Sequence, residues 1–346
     1  GASAALVRLG ADSHAEGRGE KTNFCQKLTS VAHNVHVDQF SLVAGSCSVR
    51  KETLHGGRQE GVDVITVDNG TLRFTVVPTR GMSVGELSVE GTPLGWSSPV
   101  RELVHPSHVD LQDHTGLGWL TGFNELMVRC GVAWNGHPGK DAGQLLSLHG
   151  RIGNIPASEV EVEVEETEGS PPRIVVRGRV DEAMFKFCDF ELWTEVSTEA
   201  GSDSVQIRDR LVNRSSYERE YQMLYHANFG PPTLEKGATF VAAVDTVAPF
   251  NAKATEGLDC WDRYAGPTRG FGEHVFCVIP HADAAGMTTV GLVNQRKDRG
   301  VAVRYDTTTL PALTLWKNTD TLEEGYVTGI EPGTGFCCPR AVERQA

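Results

Sequence analysis

The sequence predicts an all-β protein in which large antiparallel sheets pack face to face. Runs of residues that alternate between apolar and charged recur along the chain, and clusters of turn-forming residues separate them. Apolar residues at helical spacing are scarce by comparison. These observations favour many short strands joined by hairpins, with few short helices.

The clearest strands are predicted between residues 159 and 210. Valines alternate with glutamates over 159–165, and aliphatic residues alternate with arginines over 173–180. The same alternation recurs over 190–196 and 205–210, and Gly, Pro, Ser and Asp residues separate these runs. A period of two is typical of strands with one buried face, so this region predicts an antiparallel sheet.

The rest of the chain shows no linker or repeat that would divide it. Residues 1–40 are expected to hold a short helix or an irregular lead-in, and the stretch 102–118 predicts a loop. We interpret residues 1–50 as a lead-in packed on the sandwich and 51–346 as a single β domain, with loops over one face carrying function.

Composition narrows the function classes. The 346 residues include 32 basic and 45 acidic side chains, a net charge of −13, which opposes nucleic acid and anionic membrane surfaces. No apolar run approaches the roughly 18 residues of a membrane-spanning helix, and the first residues lack the pattern of a signal peptide. We expect a cytoplasmic protein that acts on a small molecule.

The eight cysteines agree with that compartment. They are scattered, and no two are spaced as a Cys-x-x-Cys motif. We expect most of them to be buried thiols that pack as small apolar side chains, and the adjacent Cys337 and Cys338 to belong to a turn.

Two polar residues stand out in strand-like segments that end in turn residues. His226 lies in the segment 224–230, where period-two counting places it on the same face as Leu224. Glu331 precedes a proline, which favours extended backbone. An imidazole and a carboxylate at strand ends are an acid/base couple able to move protons on a small molecule.

A third segment adds His149 and Arg151 on either side of a glycine. Two histidines and a carboxylate also form a metal-binding set, so a divalent ion held by His149, His226 and Glu331 is an alternative to chemistry that uses protons alone. The segment 105–114 is a second metal candidate, with three histidines and two aspartates, but its irregular context indicates a solvated loop. Our expectation is a site with no metal and no cofactor.

Seven motifs occur in order along the chain: Thr-Arg-Gly-Met at 79–82, Gly-Trp-Leu at 118–120, Arg-Cys-Gly at 129–131, Leu-His-Gly-Arg at 148–151, Tyr-His-Ala-Asn-Phe-Gly at 225–230, Leu-Trp-Lys-Asn at 315–318 and Gly-Ile-Glu-Pro-Gly-Thr at 329–334. Together they resemble an uncharacterised branch of the galactose mutarotase-like superfamily, the relatives of aldose 1-epimerase. The resemblance runs from about residue 64 to residue 344. It implies a β-supersandwich with a carbohydrate cleft on the concave face of one sheet.

The resemblance also implies roles for the acid/base couple. Glu331 takes the place of the glutamate that removes the anomeric proton, and His226 that of the histidine that protonates the ring oxygen. His149 corresponds to an earlier histidine that holds a ring hydroxyl. Arg80 corresponds to an earlier arginine, with Arg151 as its competitor.

Further side chains are expected to bind the sugar through hydrogen bonds, stacking or, for one of them, the extra acid of the family. These candidates are Asn124, Glu125, Asn228, Asp262, Trp316 and Lys317, with Trp119 or Trp261 as a wall.

Three functions follow as hypotheses. The leading one is a sugar epimerase of the mutarotase type, and the second is an isomerase or lyase acting on a modified sugar, with or without a metal. The third is a non-catalytic carbohydrate-binding protein.

Relatives continue into a final strand after a Pro-Gly-Glu turn that this sequence does not reach, so either the chain is truncated or a closing strand is missing.

Overall fold

A computed structural model describes residues 3–9 and 21–345. The first twelve strands in these residues are β1 (Ser3–Leu9), β2 (Lys21–Ser30), β3 (Val35–His36), β4 (Phe40–Ala44), β5 (Cys47–Thr53), β6 (Asp63–Asp68), β7 (Leu72–Val77), β8 (Ser83–Val89), β9 (Thr92–Pro93), β10 (Met127–Val132), β11 (Gly139–Asp141) and β12 (Gln144–Leu146). The others are β13 (Glu159–Thr167), β14 (Arg173–Met184), β15 (Cys188–Glu199), β16 (Ser204–Asn213), β17 (Gln222–Phe229), β18 (Thr239–Val241), β19 (Val244–Pro249), β20 (His274–Pro280), β21 (Met287–Val293), β22 (Arg299–Asp306), β23 (Ala312–Asn318) and β24 (Val327–Gly333).

Helices are few and short in the described residues, as expected. The α-helices are α1 (Asp113–Gly116), α2 (Ala252–Thr255) and α3 (Arg340–Glu343), and single 3₁₀ turns occur at Gly57–Gln59, Pro78–Arg80, Pro106–His108, Gly118–Gly122, Ile152–Asn154 and Leu258–Cys260. No helix among these residues has the length and apolar character needed to cross a membrane.

The strands form two large sheets, apart from β11 and β12, which pair with each other. One has ten strands in the order β18-β21-β22-β1-β16-β15-β14-β13-β2-β3. The other has twelve, in the order β19-β20-β23-β24-β17-β10-β8-β7-β6-β5-β4 with β9 paired to β8. Pairing is antiparallel except that β1 runs parallel to both β16 and β22. The predicted all-β fold of large antiparallel sheets is confirmed.

The predicted period of two is visible in β13. Its valines Val160, Val162 and Val164 are buried, and the first two belong to one apolar core with residues of the twelve-stranded sheet such as Ile65 and Val67. Burial of these side chains between the two sheets is the main force that holds the sandwich together.

The structure of residues 21–50 differs from the expectation. The sequence predicts a short helix or an irregular lead-in within residues 1–40, whereas Lys21–Ser30 is a strand paired along its length with β13. Leu28 of this strand is fully buried in the core. Pairing with β13 therefore decides the local structure of Lys21–Ser30. Strands β2 and β3 belong to the ten-stranded sheet, and β4 and β5 belong to the twelve-stranded sheet.

The central strands of the twelve-stranded sheet are buried on both faces. In β17, Met223, Tyr225 and Ala227 pack in the core between the sheets, as do alternate residues of its neighbours. Leu224 lies on the opposite face, in a second apolar cluster that does not join the core. This second cluster contains Trp119, Phe123, Val128, Cys130, Leu148, Leu224, Val275 and Cys337, with Trp96, Leu111, Phe250 and Trp316 packed against it.

A buried ion pair links the two sheets. Arg129 of β10 donates hydrogen bonds to Asp209 of β16, with 2.9 Å between Nη2 and Oδ1, and to Thr194 of β15. Its Nη1 donates to the carbonyl oxygen of Met82 at 2.8 Å, and Tyr225 donates its hydroxyl to Asp209. Because every charged atom has a partner, the pair is tolerated in the core and fixes the alignment of the sheets.

Arg129→Met tests this link. The substitution leaves the Asp209 carboxylate buried without its cation, so we expect the free energy of unfolding to fall by about 3–5 kcal/mol in urea denaturation. The control is Arg50→Gln, which removes an exposed pair with Glu52 in the same sheet and should change little. Equal small losses in both variants would show that the buried pair does not hold the sheets.

Candidate active site

The register between β17 and β24 brings the predicted acid and base together. Ala227 pairs with Ile330 and Asn228 with Gly329, which places His226 directly opposite Glu331. Ala227 follows His226 in β17, Ile330 precedes Glu331 in β24, and both of these neighbours point into the main core. Because successive residues of a strand point to opposite faces, the His226 and Glu331 side chains point away from the core, to the face of the second apolar cluster. The sheet itself therefore aims the imidazole and the carboxylate at one point.

The two side chains meet in a nearly dry environment. His226 Nε2 and Glu331 Oε1 lie 3.3 Å apart, and the two residues are only 4% and 1% exposed. Their approach is close but not aligned as a hydrogen bond, and Oε1 has no hydrogen-bond partner among the described residues. A polar atom left open in this way is rare in a protein interior and indicates a place for a bound group.

Gly329 makes room for this contact. It lies two residues before Glu331 and therefore on the same face of β24. A Cβ atom at Gly329 would stand 2.3 Å from Glu331 Oε1 and 3.2 Å from His226 Cε1. Any larger residue would push the carboxylate out of position.

Aromatic rings surround His226. Its ring centroid lies 5.2 Å from that of Phe123, 5.6 Å from Trp316, 5.9 Å from Trp119 and 5.3 Å from His149. This lining offers the flat apolar surfaces on which the C–H face of a sugar ring stacks.

His149 reaches the site from the loop before Ile152–Asn154. It has a left-handed backbone, with φ of +56°, held by hydrogen bonds from its N–H to the carbonyl oxygen of Gly136 and from Gly131 N–H to its own carbonyl oxygen. Such a conformation is strained for a residue with a side chain, and strain of this kind often marks functional sites. The structure thus brings together three of the predicted residues, His149, His226 and Glu331.

Burial sets the protonation of the acid/base pair. It raises the pKa of Glu331 well above its usual value, with a further rise from the charge of Glu273. It lowers the pKa of His226 to about 4, partly offset by a hydrogen bond with Asn228. Although the distance would also suit an ion pair, burial opposes both charged forms, so we assign a neutral pair that holds one proton between the two side chains.

The predicted cation Arg80 lies behind the site. It is fully buried, and its guanidinium donates to Glu125 Oε1 at 2.9 Å, to Gly122 O at 3.0 Å and to Asn154 Oδ1. The carbonyl oxygen of Glu125 in turn accepts a hydrogen bond from Asn228 Nδ2 at 3.1 Å. Arg80 and Glu125 therefore hold the wall of the site, and their charges are already paired.

Arg151 and Lys317 are also engaged elsewhere. Arg151 donates to Glu182 Oε1 from Nε and Nη2, at 3.2 and 3.1 Å, and its guanidinium lies over the ring of Trp134. Lys317 lies on the core side of β23 because neighbouring residues in a strand point to opposite faces, and Trp316 takes the site side. The Lys317 ammonium donates to the carbonyl oxygens of Cys260, Trp261 and Arg263, at 3.1, 3.1 and 2.6 Å.

The remaining candidates also have partners of their own. Trp316 donates its Nε1–H to Glu273 at 2.8 Å. Asn124 is held by the carbonyl oxygens of Val100 and Glu102. Asp262 is partly exposed, and its carboxylate lies 3.7 Å from the guanidinium of the adjacent Arg263.

Sequence reasoning missed several residues that build the site. Phe123 is next to the predicted Asn124, and Gly329 opens the motif that contains Glu331. Their positions beside predicted site residues are the signal that could have identified both. No signal in the sequence indicates Asn135, which contacts His149, or Glu273. Their roles depend on contacts between distant segments.

No group of three His, Cys, Asp or Glu side chains converges as a set of metal ligands in the part of the chain that the structure describes. The histidines of the loop 105–114 bond locally, as His105 does with Ser107 and His114 with Asp113. We therefore derive no chemical step through a metal ion.

This fold agrees with the β-supersandwich that the resemblance implies. A family model named domain of unknown function, DUF4432, matches residues 59–346, and the chain belongs to that family. No curated protein matches the chain.

Solved structures include a similar protein over nearly the whole chain. A candidate aldose 1-epimerase from Klebsiella pneumoniae subsp. pneumoniae MGH 78578 is 43% identical over 94% of this chain and 86% of its own, with a TM-score of 0.90. The predicted resemblance to the galactose mutarotase-like superfamily is thus confirmed.

Two distant structures are also similar. A TPR-domain containing protein from Parabacteroides distasonis is 12% identical over 93% of this chain and 52% of its own, with a TM-score of 0.51, and shows the fold alone. A galactose mutarotase-like protein from Clostridium acetobutylicum is 14% identical over 83% of this chain and 88% of its own, with a TM-score of 0.48.

The pKa of His226 leads to a measurable pH dependence. Since its pKa is about 4 in the folded protein and near 6.5 in the unfolded chain, the unfolded state binds more protons between these values, and the free energy of unfolding should decrease as the pH falls through that window. NMR titration should show His226 unchanged from about pH 8 to about pH 5. Exposed His55, whose pKa is raised by Glu60, serves as the internal control and should titrate above its usual pKa. A His226 midpoint near that of His55 would contradict a desolvated site.

Proposed function

We propose that the protein is a carbohydrate-active isomerase that interconverts the anomers of an aldose by acid/base ring opening. The observation that carries the proposal is the pair of His226 Nε2 and Glu331 Oε1, which lie 3.3 Å apart and are buried. The name given to the similar Klebsiella protein, a candidate aldose 1-epimerase, supports the same reaction class.

The chemistry needs one proton donor and one proton acceptor at the same time. Ring opening removes the proton of the anomeric hydroxyl, forms the C1 carbonyl, breaks the bond from C1 to the ring oxygen and protonates that oxygen. With Glu331 as the base and His226 as the acid, ring opening starts from the carboxylate and imidazolium form, which the resting pair reaches when the carboxyl proton of Glu331 moves to His226 Nε2. The two transfers with the sugar then return the pair to the carboxylic acid and neutral imidazole. Rotation about the C1–C2 bond and the reverse transfers close the other anomer and restore the starting form.

A neutral pair suits this reaction. The carboxylate and imidazolium form and the carboxylic acid and imidazole form contain the same number of protons, so neither transfer changes the net charge of the buried site. This matters because a change in net charge in a desolvated site would add a large electrostatic term to the barrier.

Buried polar atoms that lack a hydrogen-bond partner, and the aromatic rings beside them, support a sugar as the ligand. Glu331 Oε1 and Trp119 Nε1 are buried without a hydrogen-bond partner among the described residues, and one is an acceptor while the other is a donor. A sugar hydroxyl can both donate and accept, and the rings of Phe123 and Trp316 offer stacking surfaces beside them. This lining also fits a non-catalytic carbohydrate-binding protein, which is the second candidate.

Glu331→Gln and His226→Gln separate the two candidates. Each substitution removes one proton-transfer group, so we expect the rate of anomer exchange to fall by at least about 10²-fold while sugar binding persists. Saturation-transfer NMR across a panel of aldoses measures exchange, and calorimetry measures binding. The matched control is Glu161→Gln, on β13 of the other sheet, which should keep the wild-type rate.

Unchanged exchange in the Glu331→Gln variant would remove this residue from the mechanism. A wild-type protein that binds an aldose and accelerates the exchange of no sugar in the panel would favour the non-catalytic candidate.

Gly329→Ala tests the geometry without removing a reacting group. The new methyl group would overlap the Glu331 carboxylate, so we expect the exchange rate to fall by about 10-fold to 100-fold. Gly266→Ala is the control, because its Cβ would meet only ordinary contacts with the Lys236 side chain. A wild-type rate in Gly329→Ala would mean that the position of the carboxylate is not critical.

A further inference from the structure

Both histidines of the site have an asparagine at the same ring nitrogen. His226 Nδ1 lies 2.7 Å from Asn228 Oδ1, and His149 Nδ1 lies 3.3 Å from Asn135 Oδ1. All four residues are buried, with 0–7% of their surface exposed. The same pairing of a histidine Nδ1 with an asparagine Oδ1 on two separate segments indicates that the two asparagines have the same structural role.

The orientation of the Asn228 amide follows from its other contacts. Its Nδ2 faces two carbonyl oxygens, of Glu125 and of His226 itself, each at 3.1 Å. Carbonyl oxygens only accept hydrogen bonds, so the Asn228 nitrogen must face them and its oxygen must face His226 Nδ1. That oxygen also only accepts, and Nδ1 therefore carries a proton whether the imidazole is neutral or charged.

Asn135 is held by a loop that is fastened at several points. Its N–H donates to Gln222 Oε1 at 3.1 Å, and the next residue, Gly136, accepts the N–H of His149. His137 N–H donates to the carbonyl oxygen of Cys337 at 2.9 Å. The loop therefore keeps the Asn135 side chain beside His149, with Oδ1 3.3 Å from Nδ1.

We propose that Asn228 and Asn135 are positioning residues that each accept the Nδ1–H of one histidine and so leave Nε2 as the atom that faces the substrate. In His226, Nε2 becomes the only ring nitrogen that exchanges a proton. In His149, which stays neutral, Nε2 is an acceptor and selects a sugar hydroxyl that donates. The kinetic consequences rest on the proposed function, whereas the tautomers do not.

The tautomers can be measured directly in the unmodified protein. Long-range ¹H–¹⁵N NMR spectra at neutral pH distinguish a histidine protonated at Nδ1 from one protonated at Nε2. We expect both His226 and His149 to be neutral and protonated at Nδ1. An Nε2–H tautomer at either histidine overturns the proposal for that histidine, whatever the protein catalyses.

Asn228→Leu and Asn135→Leu serve as controls for each other. Each variant removes one acceptor while keeping a side chain of similar volume, so we expect only the partner histidine to shift towards the Nε2–H tautomer. Asn228→Leu should lower kcat by about 10-fold to 100-fold with little change in KM, a loss of the size that is typical when the hydrogen-bond partner of a metal-bound histidine is removed. Asn135→Leu should mainly raise KM, because His149 binds rather than reacts.

The pH profile separates positioning from a merely structural role. Since the hydrogen bond with Asn228 raises the pKa of His226, its loss should move the acid limb of the kcat profile to lower pH. A variant that only loosens the fold would lose rate at every pH and keep the limb in place, which would contradict the proposal. If the wild type shows no anomer exchange while both tautomers are as expected, the proposed function fails and the positioning role stands.

Discussion

The hydrogen-bonded register between β17 and β24 is the constraint on which the candidate site depends. It sets His226 opposite Glu331 and, by the period of two, sends their neighbours Ala227 and Ile330 into the core. A shift of either strand by one residue would turn its reacting side chain into the core and expose apolar ones. The large free energy of burying the core therefore also holds the acid and base in place.

Desolvation is the second feature that shapes the chemistry. It moves the pKa of Glu331 and that of His226 in opposite directions, and both shifts favour uncharged side chains. Two groups that would be ion-paired near a surface here hold a single proton between them. In a water-poor site, such a pair can accept and donate protons without changing its charge, while the aromatic rings around it exclude solvent.

The cations near the site stabilise its frame and are paired with groups other than His226 and Glu331. Arg80 binds Glu125, Arg151 binds Glu182, and Lys317 binds three carbonyl oxygens of the loop that follows Leu258. Each cation has partners close in space but distant in sequence, so each fixes a loop or a strand end. The candidate site thus consists of a few polar groups on a rigid sheet, supported from behind by paired charges.

Much of this arrangement was determined by the sequence itself. Alternation of apolar and charged residues predicted the sheets, and the motifs around His226 and Glu331 predicted the reacting pair and its family. Parity alone also required Trp316 and Lys317 to face opposite sides of one strand. Only the tertiary structure decided that the pair meets at 3.3 Å, that Arg80 is already paired and that Asn135 reaches His149. The physical reason is that periodicity is local, whereas strand register and the choice of hydrogen-bond partners depend on residues brought together from distant parts of the chain.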